Sequence, residues 1–190
     1  TVFGGLICDI DDLTVCRGPS DFDIRHLINA NFIYDLPFGK GRRFGGNLPG
    51  WADQIVGGFT LTGIYTYRSG LPFSLATGGF PVSYLTASPA VATGNGTGFT
   101  GNVRDVGAFL QFFEDPNAVI SQFRNPRAGE TGNRNNFRTG SYWGMDMALL
   151  KNFKLPWEGQ RLQFRAEAYN VFNHNVFGFP AADINNSATF

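Results

Sequence analysis

The sequence has no uninterrupted run of about eighteen apolar residues, the length that a transmembrane helix requires. It is also poor in charge, because only 16% of its 190 residues are charged, against about 25% in ordinary soluble domains. Fifteen basic and fifteen acidic residues cancel, so no excess of positive charge points to nucleic acid. If the chain meets a membrane, it must therefore do so through β-strands.

Residue types that carry chemistry are equally scarce. His26 and His174 are the only histidines, and no metal-binding, nucleophile or phosphate-binding motif is present. We therefore expect a protein that is not an enzyme and that uses no cofactor or metal. Cys8 and Cys16 are the only cysteines. Their closeness in an exported β-protein favours a disulfide, with two reduced thiols as the alternative.

Glycine and aromatic residues are abundant, and the polar pattern alternates. The 25 glycines and 20 phenylalanines favour strands and turns over helices. Residues 161–173 alternate most strictly, as expected for a long strand with two different faces. Its apolar side carries Leu162, Phe164, Ala166, Ala168 and Phe172. Its polar side carries Arg161, Gln163, Arg165, Glu167 and Asn173. A strand with one apolar and one ionic face is typical of a transmembrane barrel wall.

Residues 141–155 alternate in the same way and are followed by a tight turn at residues 156–159. Residues 143–155 and 161–173 are therefore predicted to pair as an antiparallel hairpin. The apolar side of its first strand carries Trp143, Met145, Met147, Leu149 and Phe153, and the polar side carries Asp146, Asn152 and Lys154. Arg165 and Glu167 fit either a charge ladder with Asp146 or Lys154 across the hairpin or contact with a substrate. Tyr142, Trp143, Trp157 and Tyr169 are candidates for interfacial aromatic girdles, or for packing against a neighbouring chain.

The rest of the chain divides by composition into a single predicted β-domain. Its segments are residues 1–22 with the candidate disulfide, 23–77 with further strands, 78–140 as one long external loop, the hairpin at 141–173, and 174–190. Alternation at residues 23–36 and 55–68 predicts the strands of the second segment. The basic cluster of Lys40, Arg42 and Arg43 fits either a solvated turn or contact with anionic lipid headgroups. Short turns on one side and a long loop on the other are the arrangement of outer-membrane barrels.

Several motifs in their order resemble one known family across residues 18–190. They are Asp23, Arg25-His26, Tyr34-Asp-Leu-Pro-Phe-Gly-Lys40, Gly70-Leu-Pro-Phe73, Gly132-Asn-Arg-Asn135, Phe137-Arg138, Asp146, Lys151-Asn-Phe153 and Phe164-Arg-Ala-Glu-Ala-Tyr-Asn-Val-Phe-Asn-His174. Together they resemble the C-terminal barrel region of TonB-dependent outer-membrane receptors, in particular the Oar-like group with a carboxypeptidase-regulatory-like domain. The resemblance implies a barrel of about twenty-two strands that takes up substrate across the bacterial outer membrane, energised by TonB.

The chain has room for about five or six strands, fewer than the eight of the smallest membrane barrels. Its sheet is therefore expected to be too small to close alone and to leave two unpaired edges. The absence of an initial Met favours a mature, processed or excised piece. We expect either a wall segment of a receptor-like barrel, or a processed fragment whose copies pair edge to edge in an extracellular filament or tube. The expected partners are other β-strands and outer-membrane lipid, at the outer membrane or the cell surface.

Overall fold

The computed structural model describes residues 11–77, 88–94, 99, 101, 103–107, 110–155, 157 and 159–186. These residues form mainly antiparallel strands, which confirms the all-β fold class. A 3-10 turn spans Leu13–Cys16. The other elements are, in chain order, β1 (Leu27–Asp35), α1 (Gly50–Val56), β2 (Phe59–Arg68), β3 (Pro72–Phe73), β4 (Val91–Ala92), β5 (Arg104–Asp105), β6 (Leu110–Gln111), α2 (Pro116–Ile120), β7 (Phe123–Arg124), β8 (Phe137–Arg138), β9 (Tyr142–Lys154) and β10 (Arg161–Ala168). No helix in this part of the chain is long and apolar enough to cross a membrane.

Where the sequence predicted a single domain, the structure groups the chain into two compact units. The sheet unit consists of His26–Arg68 and Tyr142–Asn175. The loop unit consists of Thr1–Arg25, Ser69–Ser141 and Val176–Phe190. The predicted long loop at residues 78–140 thus belongs, as far as it is described, to a unit with its own internal packing.

The sheet unit is one four-stranded antiparallel sheet in the order β1-β2-β9-β10. Residues 36–58 join β1 to β2, and residues 155–160 join β9 to β10. Both connections lie at the same end of the sheet, because antiparallel strands alternate in direction. At the opposite end the chain leaves β2 after Arg68 and re-enters β9 at Tyr142. The two pairs of strands are thereby joined through β2 and β9 into one surface.

The strand predicted from residue 55 begins four residues later than expected. Ile55 lies in α1, which starts after Pro49 (φ −62°) and ends at Val56. The next residue, Gly57, caps the helix, because its N–H donates to the Asp53 carbonyl at 2.8 Å. Gly58 follows with φ +72°, a left-handed conformation that glycine adopts without strain. The spacing of four between Ile55 and Phe59 fits a helical turn as well as an alternating strand, so the sequence pattern did not separate the two.

The loop unit has a hydrophobic core of its own. Its two-residue strands pair as β3 with β8, β4 with β7 and β5 with β6. The core residues are Phe73, Leu75, Ala90, Phe112, Phe113, Val119, Phe123, Phe137, Ala182 and Ile184. The ring of Phe113 stands edge-on to Phe112 at 4.9 Å and to Phe137 at 5.5 Å between centroids, a favourable geometry for aromatic pairs.

The core also defines the roles of two segments without clear periodicity. Residues near Ile184 form a bridge with Ala76, in which the Ile184 N–H donates to the Ala76 carbonyl at 3.0 Å. The segment 118–123 contributes to α2 and to β7. Cys8 lies outside the described residues, so the Cys8–Cys16 disulfide stays a prediction.

Candidate functional site

The register of the four strands places their predicted apolar residues on one side of the sheet. Ile28 pairs with Tyr67, and Tyr67 pairs in turn with Trp143. Leu149 pairs with Ala166 on the far side of β9. Residues directly opposite each other in an antiparallel pair point to the same side. We call this side the apolar face, and it comprises Ile28, Ala30, Phe32, Tyr34, Phe59, Leu61, Gly63, Tyr65, Tyr67, Trp143, Met145, Met147, Leu149, Lys151, Phe153, Leu162, Phe164, Ala166 and Ala168.

The apolar face is uncovered at both edges of the sheet. Every residue of β1 and of β10 is exposed, and the Phe164 side chain is 63% accessible. Leaving apolar surface in water costs roughly 25 cal/mol per Å². A contiguous apolar surface of several strands is therefore a contact surface for lipid or for protein.

The opposite side of the sheet carries the predicted charged and amide residues. This polar face comprises Asn29, Asn31, Asp35, Thr60, Thr62, Thr66, Arg68, Tyr142, Asp146, Asn152, Lys154, Arg161, Gln163, Arg165 and Glu167, with Leu27, Ile33, Ile64, Gly144, Ala148 and Leu150 between them. Gln163 donates to Asn152 at 2.9 Å across the β9–β10 pair, and Thr60 donates to Asp35 at 2.8 Å across β1–β2. Neighbouring strands of the polar face are thus cross-linked by side-chain hydrogen bonds.

The ion pair of the polar face runs along one strand, where the sequence allowed a ladder across two. Arg165 Nε lies 2.5 Å from Glu167 Oε1, while the residue opposite Arg165 is Leu150. The Asp146 carboxylate instead accepts the backbone N–H of Asn170 at 2.8 Å. Lys154 is in register with Arg161, and its side chain lies outside the described part of the structure. The register explains the difference, because it sets apolar residues opposite both Arg165 and Glu167.

Phe172, predicted on the apolar side of the second hairpin strand, lies beyond that strand. β10 ends at Ala168, and Asn170 and Asn173 have φ of 48° and 49°, so the backbone turns there. Asparagine tolerates this left-handed conformation better than most residues. The Phe172 ring still reaches Trp143, at 5.9 Å between centroids, and His174 stacks on Trp143 at 4.2 Å. The turn thus returns Phe172 to the apolar face without extending the strand.

The aromatic residues predicted at the membrane interfaces occupy both ends of the sheet. Tyr142 and Trp143 begin β9, and Tyr169 directly follows β10 at the same end. Trp157 lies in the connection between β9 and β10, at the opposite end. At the first end Trp143 lies on the apolar face, whereas Tyr142 pairs with Arg68 and the Tyr169 hydroxyl donates to Glu167, both on the polar face. Trp143 and Trp157, separated by the length of the strands, fit the spacing of interfacial girdles.

Lys151 is a cation on the apolar face that the sequence reasoning missed. Its side chain is only 4% exposed, and Nζ donates to the carbonyl of Gly57, directly after α1. Nζ also lies over the rings of Phe59 at 4.5 Å and Phe153 at 5.2 Å. Such cation–π contacts offset part of the cost of burying the charge. The signal was present in the sequence, because Lys151 has the same parity as Leu149 and Phe153.

A polar network in the loop unit joins motifs that are far apart in the sequence. Arg134 donates to Asp21 at 3.0 Å, and the Asn135 side chain donates to the same carboxylate at 2.6 Å. These hydrogen bonds, with that from Asn135 as the larger cause, lower the pKa of Asp21. Arg138 pairs with Asp23 nearby. These hydrogen bonds and ion pairs between distant segments support a structural role for the motif residues.

The comparison with protein families agrees with this two-faced sheet. The family model described as "Outer membrane beta barrel domain" matches residues 4–190. Neither a curated protein nor a solved structure gives a match to the chain. The assignment to a barrel therefore rests on both the family match and the geometry of the sheet.

Proposed function

Because this chain belongs to the family of outer membrane β-barrel domains, we propose that it forms a non-enzymatic part of the wall of a receptor-like barrel in the bacterial outer membrane. The observation that carries the proposal is the continuous apolar face, which runs across all four strands in register. In this proposal the apolar face meets lipid. The polar face lines the interior of the barrel, as the alternation of barrel strands requires.

The lengths of the strands support a membrane-spanning role. β2 has ten residues and β9 has thirteen, whereas a tilted strand needs about nine to eleven to cross the hydrocarbon layer. A strand of an ordinary globular protein has about five or six residues. β1, with nine residues, β2 and β9 are thus long enough to span a bilayer, and β10, with eight, falls one residue short. The strands of the loop unit, with two residues each, are far too short.

The partners in this proposal are further β-strands. In the described part of the chain β1 and β10 are the edges of the sheet, and each pairs with a single neighbour. Unpaired backbone N–H and C=O groups cannot be satisfied in lipid, so the wall must continue through other strands until it closes. The motif resemblance supports a TonB-dependent receptor as the parent barrel, in which this wall would serve substrate uptake.

A second candidate is a self-assembling subunit, favoured by the two free edges. β1 has nine residues and β10 has eight, so the edges of successive copies match in length. Head-to-tail pairing of identical copies gives either a closed ring or an open helical polymer. The apolar face would then contact protein in an extracellular filament or tube, and lipid would have no part.

Negative-stain microscopy of the purified 190-residue chain separates the two candidates. The wall proposal predicts discrete particles that form only with detergent or lipid, because these molecules then cover the apolar face. Filaments in detergent-free buffer would refute the wall proposal and support self-assembly. Adding detergent to such filaments is the control. Filaments that associate through lipid-facing surfaces should dissolve into micelles, whereas filaments with a protein–protein interface should persist.

A further inference from the structure

We propose that the connection of residues 36–58 lies in the headgroup region of the membrane and binds anionic phospholipid. The proposal rests on the assignment of the apolar face to lipid and extends it beyond the strands. It concerns a segment whose basic cluster the sequence left open between a solvated turn and contact with anionic lipid headgroups. Four observations on this connection carry it.

The first observation is that α1 has an inverted distribution of polar and apolar residues. Trp51 is 71% exposed and Ile55, one turn later on the same side of the helix, is 64% exposed. Asp53, the acidic residue of the helix, is half-buried. A helix that faced water would bury Trp51 and Ile55 and expose the carboxylate. The exposed side of α1 is therefore suited to an apolar surrounding.

The second observation is how the inner side of α1 is held. Asp53 Oδ1 accepts the backbone N–H of Lys40 at 2.5 Å, so its charge is turned into the connection. Lys151 Nζ donates to the Gly57 carbonyl at the end of the helix. Because Lys151 belongs to the apolar face, this bond fastens α1 to the side of the sheet that meets lipid. The exposed side of α1 thus continues the apolar face at its end.

The third observation is an exposed aromatic pair in the preceding loop. Phe38 and Phe44 form a bridge, with the Gly39 N–H donating to the Phe44 carbonyl at 2.9 Å, and their ring centroids lie 5.7 Å apart. Both rings are exposed in the described structure. With Trp51 the connection has three exposed aromatic rings, and exposed Trp and Phe side chains are typical of the apolar side of a segment that lies in the membrane interface.

The fourth observation is the charge of the connection. Three basic residues, Lys40, Arg42 and Arg43, against the single acidic Asp53 give a net charge of +2, that is, +3 and −1. All three basic side chains are exposed, whereas Asp53 is turned inward. Arg42 has a long contact of 3.7 Å with Asp35, and Arg43 lies over the Phe44 ring at 5.6 Å. Basic residues beside exposed aromatic and aliphatic side chains are what an anionic bilayer surface attracts.

Quenching of tryptophan fluorescence by brominated phosphatidylcholine tests the contact with lipid. One variant keeps only Trp51, through Trp143→Phe and Trp157→Phe, and a matched variant keeps only Trp143, through Trp51→Phe and Trp157→Phe. In vesicles with bromine near the headgroup end of the acyl chain, we expect Trp51 to lose most of its emission. Quenched Trp143 with unquenched Trp51 would overturn this inference and leave the wall proposal intact. If neither Trp51 nor Trp143 is quenched, both this inference and the wall proposal are refuted.

The preference for anionic lipid is tested in the variant that keeps only Trp51, by adding phosphatidylglycerol to the same vesicles. We expect the quenching of Trp51 to increase, and the added changes Lys40→Gln, Arg42→Gln and Arg43→Gln to abolish that increase. The control adds Arg17→Gln, Arg104→Gln and Arg127→Gln, which remove the same charge from the loop unit and should keep the increase. Quenching that ignores phosphatidylglycerol would refute the anionic preference.

Discussion

The sheet unit and the loop unit place their large apolar side chains in opposite ways. In the loop unit, phenylalanines at irregular sequence spacing converge into a buried core around Phe113. In the sheet unit, regularly spaced aromatic and aliphatic residues cover one face and stay exposed at both edges. Among the buried hydrophobic residues of the described chain, Ala148 alone belongs to the sheet unit, and it lies on the polar face.

This difference shows where each unit obtains its stability. The loop unit buries apolar surface against itself, which is how a water-soluble segment folds. The sheet unit has a regular hydrogen-bonded frame but no core, so its apolar face needs an external partner. In the proposed barrel wall, lipid is that partner. The same residue type therefore makes a buried core in one unit and an exposed apolar face in the other.

The largest effect is expected from a substitution that disrupts the core of the loop unit. Phe113 is 1% exposed and touches two other rings, so Phe113→Ala should cost about 3–5 kcal/mol in the unfolding free energy of this unit. Hydrogen exchange measured by mass spectrometry should show faster exchange in residues 110–138 and little change in the strands of the sheet.

The matched control is Phe22→Ala in the same unit, where the ring is 85% exposed and nothing of the core is lost. It should change stability by less than about 0.5 kcal/mol. Equal losses for the two variants would mean that the phenylalanine cluster does not hold the loop unit together.

The next largest effect is expected from a lysine substitution on the apolar face of the sheet, compared with one on the polar face. Ala166 on the apolar face and Gln163 on the polar face lie three residues apart in β10, and both are exposed. In lipid vesicles Ala166→Lys should cost about 2–4 kcal/mol in denaturant unfolding, because it places a charge in the hydrocarbon layer. Gln163→Lys should cost far less, since its side chain would point to the barrel interior. Similar costs for both would contradict the assignment of the faces.

The smallest effect concerns an ion pair of the loop unit. Two hydrogen bonds from Arg124 to Glu130, at 2.7 and 2.5 Å, with a third from the Arg127 N–H, lower the pKa of Glu130 to about 2. A depressed carboxyl pKa stabilises the fold above the unfolded value of about 4.5, and this stability is lost as the pH falls towards 2. Both side chains are partly exposed, so solvent screening reduces the effect to about 1 kcal/mol at pH 7.

Glu130→Gln should therefore lower the unfolding free energy at pH 7 and flatten its fall between about pH 5 and pH 2. Thermal unfolding at a series of pH values measures both changes. Glu114→Gln is a suitable control, because its pair with Arg104 is longer, at 3.3 Å, and more exposed. An unchanged pH profile in Glu130→Gln would show that the Arg124 pair does not contribute to stability.

The sequence was sufficient where structure follows a period of two. The alternation of Leu162, Phe164 and Ala166 against Arg161, Gln163 and Arg165 anticipates the faces that the register gives to β10. The pattern could not show where the alternation stops being a strand. Ile55 and Phe172 both continue the alternating pattern in the sequence. Ile55 nevertheless lies in α1, and Phe172 follows a turn in which Asn170 has a left-handed backbone conformation.

By itself, then, the sequence determined the two-faced strands, because a side chain's face depends only on its position along an extended backbone. Tertiary structure decided what is set by neighbours distant in the chain. It brought Phe73, Phe113 and Phe137 into one core. It also placed the Gly57 carbonyl where Lys151 Nζ donates to it, and it left Trp51 exposed. These contacts depend on how segments tens of residues apart meet, and no local period records that.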